Sequence, residues 1–214
     1  MVELQIESVE SPLLEAAPAA SLALSLVARA QTMGFLPTRR NRRVELDRDF
    51  LAEVAELIRR HGIASSATTS LIHAAQADPP DHERLVDALR ATLEAVDASP
   101  NPGGEWKPAR ELVGDELLAR LLHISPSSLR RYATGERQTP DDTAWRLHFV
   151  ARLLAALIGS YNDYGIRRWF DRPRTALEGA TPAQLLALAE TEEDERLQRV
   201  LALADELIGA GAAA

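Results

Sequence analysis

Residues 117–139 read LLARLLHISPSSLRRYATGERQT, and local chemistry leaves that backbone little choice. Leu118, Ala119 and Leu122 recur at helical spacing on one face, and Ala119 is small enough for a second helix to cross closely. Ile124 is the apolar residue of the following turn. Ser125 then precedes Pro126, a combination that starts a helix: the hydroxyl accepts from an orphan N–H, and proline sacrifices no bond at the first helical position. Leu129 and Ala133, four apart, turn inward and leave Ser127, Ser128, Arg130, Arg131 and Thr134 on the remaining surface. Gly135 closes the helix. The spacing therefore predicts a helix, a tight turn, a second short helix and a stop.

A short helix that carries hydroxyls and guanidinium groups near its start suits the major groove of DNA. Arginine can donate two hydrogen bonds to one guanine edge, serine can serve several bases, and N-terminal N–H groups favour phosphate. On this expectation Ser127, Ser128, Arg130, Arg131 and Thr134 meet DNA, with Arg137 on a phosphate. The alternative is an ordinary helical hairpin whose arginines are merely solvated. From Leu118 to Arg137, the order LA, L-H-I-S, SSLRRY and G-E-R resembles the helix-turn-helix of Xre-type regulators. His123 stands where that family usually has glycine, and histidine tolerates a left-handed backbone better than most residues.

The net charge of −8 opposes nucleic-acid binding only until it is apportioned. Residues 1–104 carry 10 Lys+Arg against 15 Asp+Glu, residues 105–175 carry 12 against 9, and residues 176–214 carry 2 against 8. The middle alone is basic, so a local positive surface flanked by acidic segments can bind phosphate with strong salt sensitivity. Cysteine is absent, which removes disulfides and thiolate zinc sites. The apolar run at 16–30 has no basic leader and is too short to span a bilayer, so a cytoplasmic protein is expected.

Upstream, a small-residue helix is expected at about 21–32, followed by Arg39-Arg40-Asn41-Arg42-Arg43, read as a solvated loop or an arm on DNA phosphates. Phe50, Val54, Leu57 and Ile58 make one stripe over residues 47–60. Ile63, Ala67, Leu71, Ile72 and Ala75 suggest another helix, and Leu85, Val86, Leu89, Leu93 and Val96 a third. Ser99-Pro100-Asn101-Pro102-Gly103-Gly104 predicts a linker without regular structure and a domain boundary. Trp106 and Pro108 then lead into a helix. After the central stretch, Thr139-Pro140 is expected to cap a long helix bearing Trp145, Phe149, Leu153 and Leu157, buried on more than one side.

Beyond it, Ile166-Arg167-Arg168-Trp169-Phe170 puts aromatic bulk beside arginines. A proline turn follows, Leu177 tucks under it, Gly179 supplies an unusual backbone angle, and Thr181-Pro182 caps a new helix. The succession W-F, P-R-T-A-L-E-G, T-P and L-L is similar to the C-terminal domain of the MbcA/ParS/Xre antitoxins, and with the upstream motif it covers about the last half of the chain. The resemblance implies an antitoxin that pairs with a RES-domain, NAD-consuming toxin and represses its own operon. Trp169, Arg174, Leu177, Gly179 and Pro182 mark the toxin-binding domain on this resemblance, and the last helix, with Leu197, Val200, Leu201 and Ala204, belongs to it. The first hundred residues exceed what such antitoxins usually need.

The five histidines, His61, His73, His82, His123 and His148, have no second ligand at metal spacing, and no phosphate loop, nucleophile elbow or cysteine nucleophile occurs. The expectation is an all-α, non-enzymatic homodimer without cofactor or metal. It comprises a helical unit at 1–104, a helix-turn-helix region at 105–158 and a toxin-binding-like domain at 159–214. Its partners would be operator DNA and the toxin. Two rivals stand beside it: a solitary regulator with an N-terminal sensing unit, and an interaction protein that kept the scaffold without the DNA contacts.

Overall fold

The computed structural model describes residues 4–10, 17–36 and 42–211. It is an all-α fold with one small pair of strands among the described residues. The chain divides into two compact units, Met1–Pro100 and Asn101–Ala214.

The first unit runs β1 (Leu4–Val9), α1 (Ala17–Thr32), β2 (Arg42–Leu46), α2 (Arg48–Arg60), α3 (Ser65–Ala75) and α4 (His82–Asp97). Strands β1 and β2 pair in parallel, Ile6 opposite Val44, with a register shift between Ile6 and Ser8. The sequence had suggested no strand here. Yet Leu4-Gln5-Ile6-Glu7 and Val44-Glu45-Leu46 do alternate apolar and polar residues, a signal too short to stand out beside the helices. Two of the arginine cluster, Arg42 and Arg43, belong to β2 and not to a loop, while Arg39, Arg40 and Asn41 lie outside the described residues.

Asp47 caps α2, its carboxylate accepting the Phe50 N–H at 2.7 Å, and Phe50, Val54 and Ile58 are buried as the stripe requires. Helix α1 packs on α4, α4 on α3, and α3 on α2. The Arg29 guanidinium, 5% exposed, crosses from α1 to Asp97 at the end of α4 at 2.8 Å, so its charge is matched where water cannot reach it.

The second unit comprises α5 (Pro102–Val113), α6 (Asp115–Leu121), α7 (Pro126–Ala133), α8 (Asp141–Leu157), α9 (Asp163–Asp171), a single 3₁₀ turn (Thr175–Leu177), α10 (Pro182–Leu188) and α11 (Glu195–Gly211). The expected linker is shorter than its composition suggested. Pro102 opens α5, and Gly103 and Gly104 are helical, because proline at the first position needs no donor and the Glu105 carboxylate accepts the Asn101 N–H at 3.1 Å.

Helix α8 is the axis of this unit. From Leu147 to Leu157 all but Arg152 are buried, and α5 and α11 pack against it. Its start differs from the expected cap: Pro140 is the flanking residue, and the Thr139 hydroxyl instead accepts the Trp106 indole N–H at 3.0 Å. Leu118, Leu129, Phe149, Trp169, Leu177, Leu186 and Val200 belong to one continuous core, so the segments 105–158 and 159–214, read separately from sequence, fold around the same interior.

One polar contact is sealed inside it. His148 Nδ1 lies 2.6 Å from Glu105 Oε1, and both side chains are fully buried, which ties α8 to the first turns of α5. Removing one member of such a buried pair strands the other. His148→Ala is therefore expected to destabilise the chain by about 3 kcal/mol, read as a lowered urea midpoint with unchanged slope.

Candidate nucleic-acid interface

Helices α6 and α7 are joined by the four residues 122–125. Leu118, Ala119, Leu122 and Leu129 are buried, which anchors both helices in the core. The turn closes on His123 at φ +55: the Ile124 N–H reaches back to the Ala119 carbonyl at 3.1 Å and the His123 N–H to Arg120 at 3.3 Å. This is the Schellman arrangement, in which a left-handed residue satisfies the orphan carbonyls of the preceding helix.

Ser125 caps α7. Its hydroxyl oxygen accepts the Ser128 N–H at 3.1 Å, and its own hydrogen is donated to the Ser128 hydroxyl at 3.0 Å. With that hydrogen used, the 2.9 Å contact to Ser127 leaves Ser127 as donor. Ser127 thus keeps lone pairs for an outside donor, and Ser128 keeps a hydrogen for an outside acceptor.

Of the residues singled out from sequence, Ser127, Arg130, Arg131, Thr134 and Arg137 are exposed and Ser128 is half-buried. Among the described residues no ion pair engages the guanidinium of Arg130, Arg131 or Arg137. Thr134 turns its hydroxyl hydrogen inward to the Arg130 carbonyl at 2.9 Å, so it has only acceptors left to offer. Gly135, at φ +73, ends the helix.

Tyr132 was not anticipated. It is buried beneath α7, its ring stacked on Trp106 at 6.2 Å with the Arg137 guanidinium 5.5 Å from its centre. The signal was available, since Tyr132 follows Leu129 at helical spacing and extends the inward face. This layer holds the short α7 against α5.

The second motif is placed differently. Trp169, Leu177 and Pro182 are buried in the common core, and Arg174 lies half-buried with its guanidinium 5.6 Å from the Trp169 ring. The segment 174–180 is a closed loop: the Gly179 N–H donates to the Arg174 carbonyl at 2.9 Å and the Arg174 N–H to Ala180 at 3.1 Å. Glu178 and Gly179 both adopt positive φ, +58 and +85, to make that reversal, after which Thr181 and Gln184 form a complete capping box for α10. Trp169, Leu177 and Pro182 thus build the scaffold and expose little, while Glu178, Gly179 and part of Arg174 remain at the surface.

No group of histidine and carboxylate side chains among the described residues could hold a metal ion, and no described helix is long and apolar enough to cross a membrane. The chain matches no protein-family model, no curated protein and no solved structure.

Two ion pairs brace α6. The Arg110 guanidinium bonds Asp115 at 2.7 and 2.9 Å, and the Arg120 guanidinium bonds Asp171 of α9 at 2.7 and 2.9 Å. Hydrogen bonds from these arginines hold both carboxyls below the usual carboxylate range. A depressed folded-state value contributes stability above the unfolded-state value, about 3.9, and that contribution disappears as pH falls through the lower folded one. Asp171→Asn is accordingly expected to lose stability at neutral pH but to show a shallower decline than the parent chain below about pH 4, measured as urea midpoints across a pH series. At the turn, His123→Gly is expected to leave stability intact, whereas His123→Val is expected to cost about 1–2 kcal/mol because a β-branched residue resists the left-handed region.

Proposed function

We propose that this chain is a DNA-binding antitoxin that represses its own operon and neutralises a RES-domain, NAD-consuming toxin. The observation that carries the DNA half is the outer face of α7: Ser127, Arg130 and Arg131 stand exposed on a helix whose opposite face is locked by Leu129 and Tyr132. A base-reading helix needs that combination, because hydrogen-bonding groups must be free while their backbone is held still.

The role of each residue follows from its chemistry. Arg131 and Arg130 have unpaired forks for guanine edges or phosphates, Ser127 offers lone pairs to a base amino group, Ser128 offers a hydrogen to a base or phosphate acceptor, and Arg137 lies just past the helix end where a phosphate contact is natural. The chain works as a homodimer in this proposal, with two α7 helices about 34 Å apart to meet successive major grooves. The toxin half rests on the resemblance of residues 169–186 to the antitoxin domain.

A second reading, a solitary regulator, is favoured by one observation: residues 1–100 form a compact unit with its own buried interior, including Leu26, Leu51, Ile58, Leu71 and Leu89. A unit of that size is sufficient to sense a ligand or another protein.

Arg131→Ala is expected to weaken binding to the chain's own upstream DNA by about 1–3 kcal/mol and to relax preference at one base position, with an unchanged thermal melt. Unaltered affinity in a gel shift at moderate salt sinks the assignment of α7. Co-expression with a neighbouring RES-domain protein separates the two readings: restored growth supports the antitoxin, and continued toxicity beside intact DNA binding supports the solitary regulator.

A further inference from the structure

An open groove of about 850 Å³ lies between the outer side of α6 and α9. Glu116 and Arg120 line one wall, and Tyr164, Arg167, Arg168 and Arg172 the other. Some of its charge is already matched, Arg120 by Asp171 and Asp115 by Arg110. What remains is a positive surplus: Arg167, Arg168 and Arg172 are exposed and make no ion pair among the described residues, against the single unpaired carboxylate of Glu116.

The donors are partly preorganised. Arg167 Nε donates to the Leu112 carbonyl at 3.0 Å, which fixes the side chain and leaves its terminal nitrogens available. Arg168 Nη1 donates to the Tyr164 hydroxyl at 3.0 Å, and its guanidinium sits 5.6 Å from the Tyr164 ring centre. Tyr164 is 65% exposed, held in water by that arginine, and its hydroxyl hydrogen is free to donate.

We propose, building on the DNA-binding assignment of α7, that this groove is a second contact that grips the sugar-phosphate backbone beside the base-reading helix. Three exposed guanidinium groups and a phenol make donors predominate in the groove, with Glu116 its one unpaired carboxylate, and that balance matches phosphate oxygens. One wall of the groove is α6, the helix that packs directly on α7. An acidic polypeptide is the competing anion, and a polyglutamate arm in the test separates it from the duplex.

The test measures binding of the full chain to a mixed-sequence duplex of about 30 base pairs over a salt series. The pair R168A/R172A is expected to weaken binding about ten-fold, equally for any sequence, and to reduce the salt slope by about 2, while R168K/R172K restores both. R168Q/R172Q, which keeps the stems and removes the charge, gives the same readout if the alanine pair melts early. Affinity and slope unchanged in the neutral variants overturn the proposal, and so does polyglutamate binding as tight as the duplex and lost in those variants. If R131A loses binding to the upstream DNA while R168A/R172A keeps it, the groove fails and α7 stands. If the parent chain binds no duplex, both fall.

Discussion

Everything in the second unit hangs on the burial of α8. A helix apolar on all sides is unstable in water and must be surrounded, and from Leu147 onward α8 leaves only Arg152 to escape. Neighbours therefore have to be supplied on every side. Helix α5 arrives through the Glu105–His148 contact and Trp106, and α11 through Leu197, Val200, Leu201 and Ala204. Arg146, near the exposed start of α8, donates to the carbonyls of Leu186 and Ala189 at 3.2 and 2.7 Å, which satisfies groups at the end of α10 that have no helical partner. Arg146 and His148, though polar, are thus committed to holding its neighbours.

That commitment explains how so short a helix as α7 can be rigid. Eight residues cannot sustain a helix on backbone bonds alone, so its order comes from both ends and one face. Ser125 and Pro126 define the start, Gly135 the stop, and Leu129 with Tyr132 the buried side. Tyr132 rests on Trp106, and Trp106 is tied through its indole to Thr139 at the entrance of α8. The geometry of the exposed serines and arginines is thus inherited, contact by contact, from the central helix.

Much of this was legible beforehand, and most of the exceptions share a cause. The caps at Ser125 and Thr181, the stripes of α2 and α4, and the left-handed turn at His123 all depend on neighbours within a few residues, and each appears where local chemistry puts it. What escaped depends on distant partners. Thr139 looks like a cap until Trp106, thirty-three positions away, takes its hydroxyl. Gly103 and Gly104 look like a linker until the carboxylate of Glu105 secures the start of α5. The strands β1 and β2 stabilise each other across an intervening helix, so neither is conspicuous alone. The exposure of Arg130 and Arg131 could be read from the helical period, and the inward turn of the Thr134 hydroxyl to the carbonyl four residues back is a choice among local acceptors that the period leaves open.

The same distinction bears on how a motif should be weighed. Trp169, Leu177 and Pro182 give the C-terminal stretch its resemblance to an antitoxin domain, yet all three are buried and serve the interior that α8 requires. Side chains in that position constrain the shape of a domain and not the partner it meets. A toxin would have to read what this scaffold displays: the strained reversal at Glu178 and Gly179, the outer part of Arg174, or Leu188, which is 58% exposed at the end of α10. The proposed DNA contact differs in kind, because Ser127, Arg130 and Arg131 are themselves at the surface and would meet a partner directly. Residues that a partner must touch argue for that partner more directly than residues that merely fold beneath it, and for this reason the proposed DNA contact is argued from surface chemistry while the proposed toxin contact is argued from the scaffold alone.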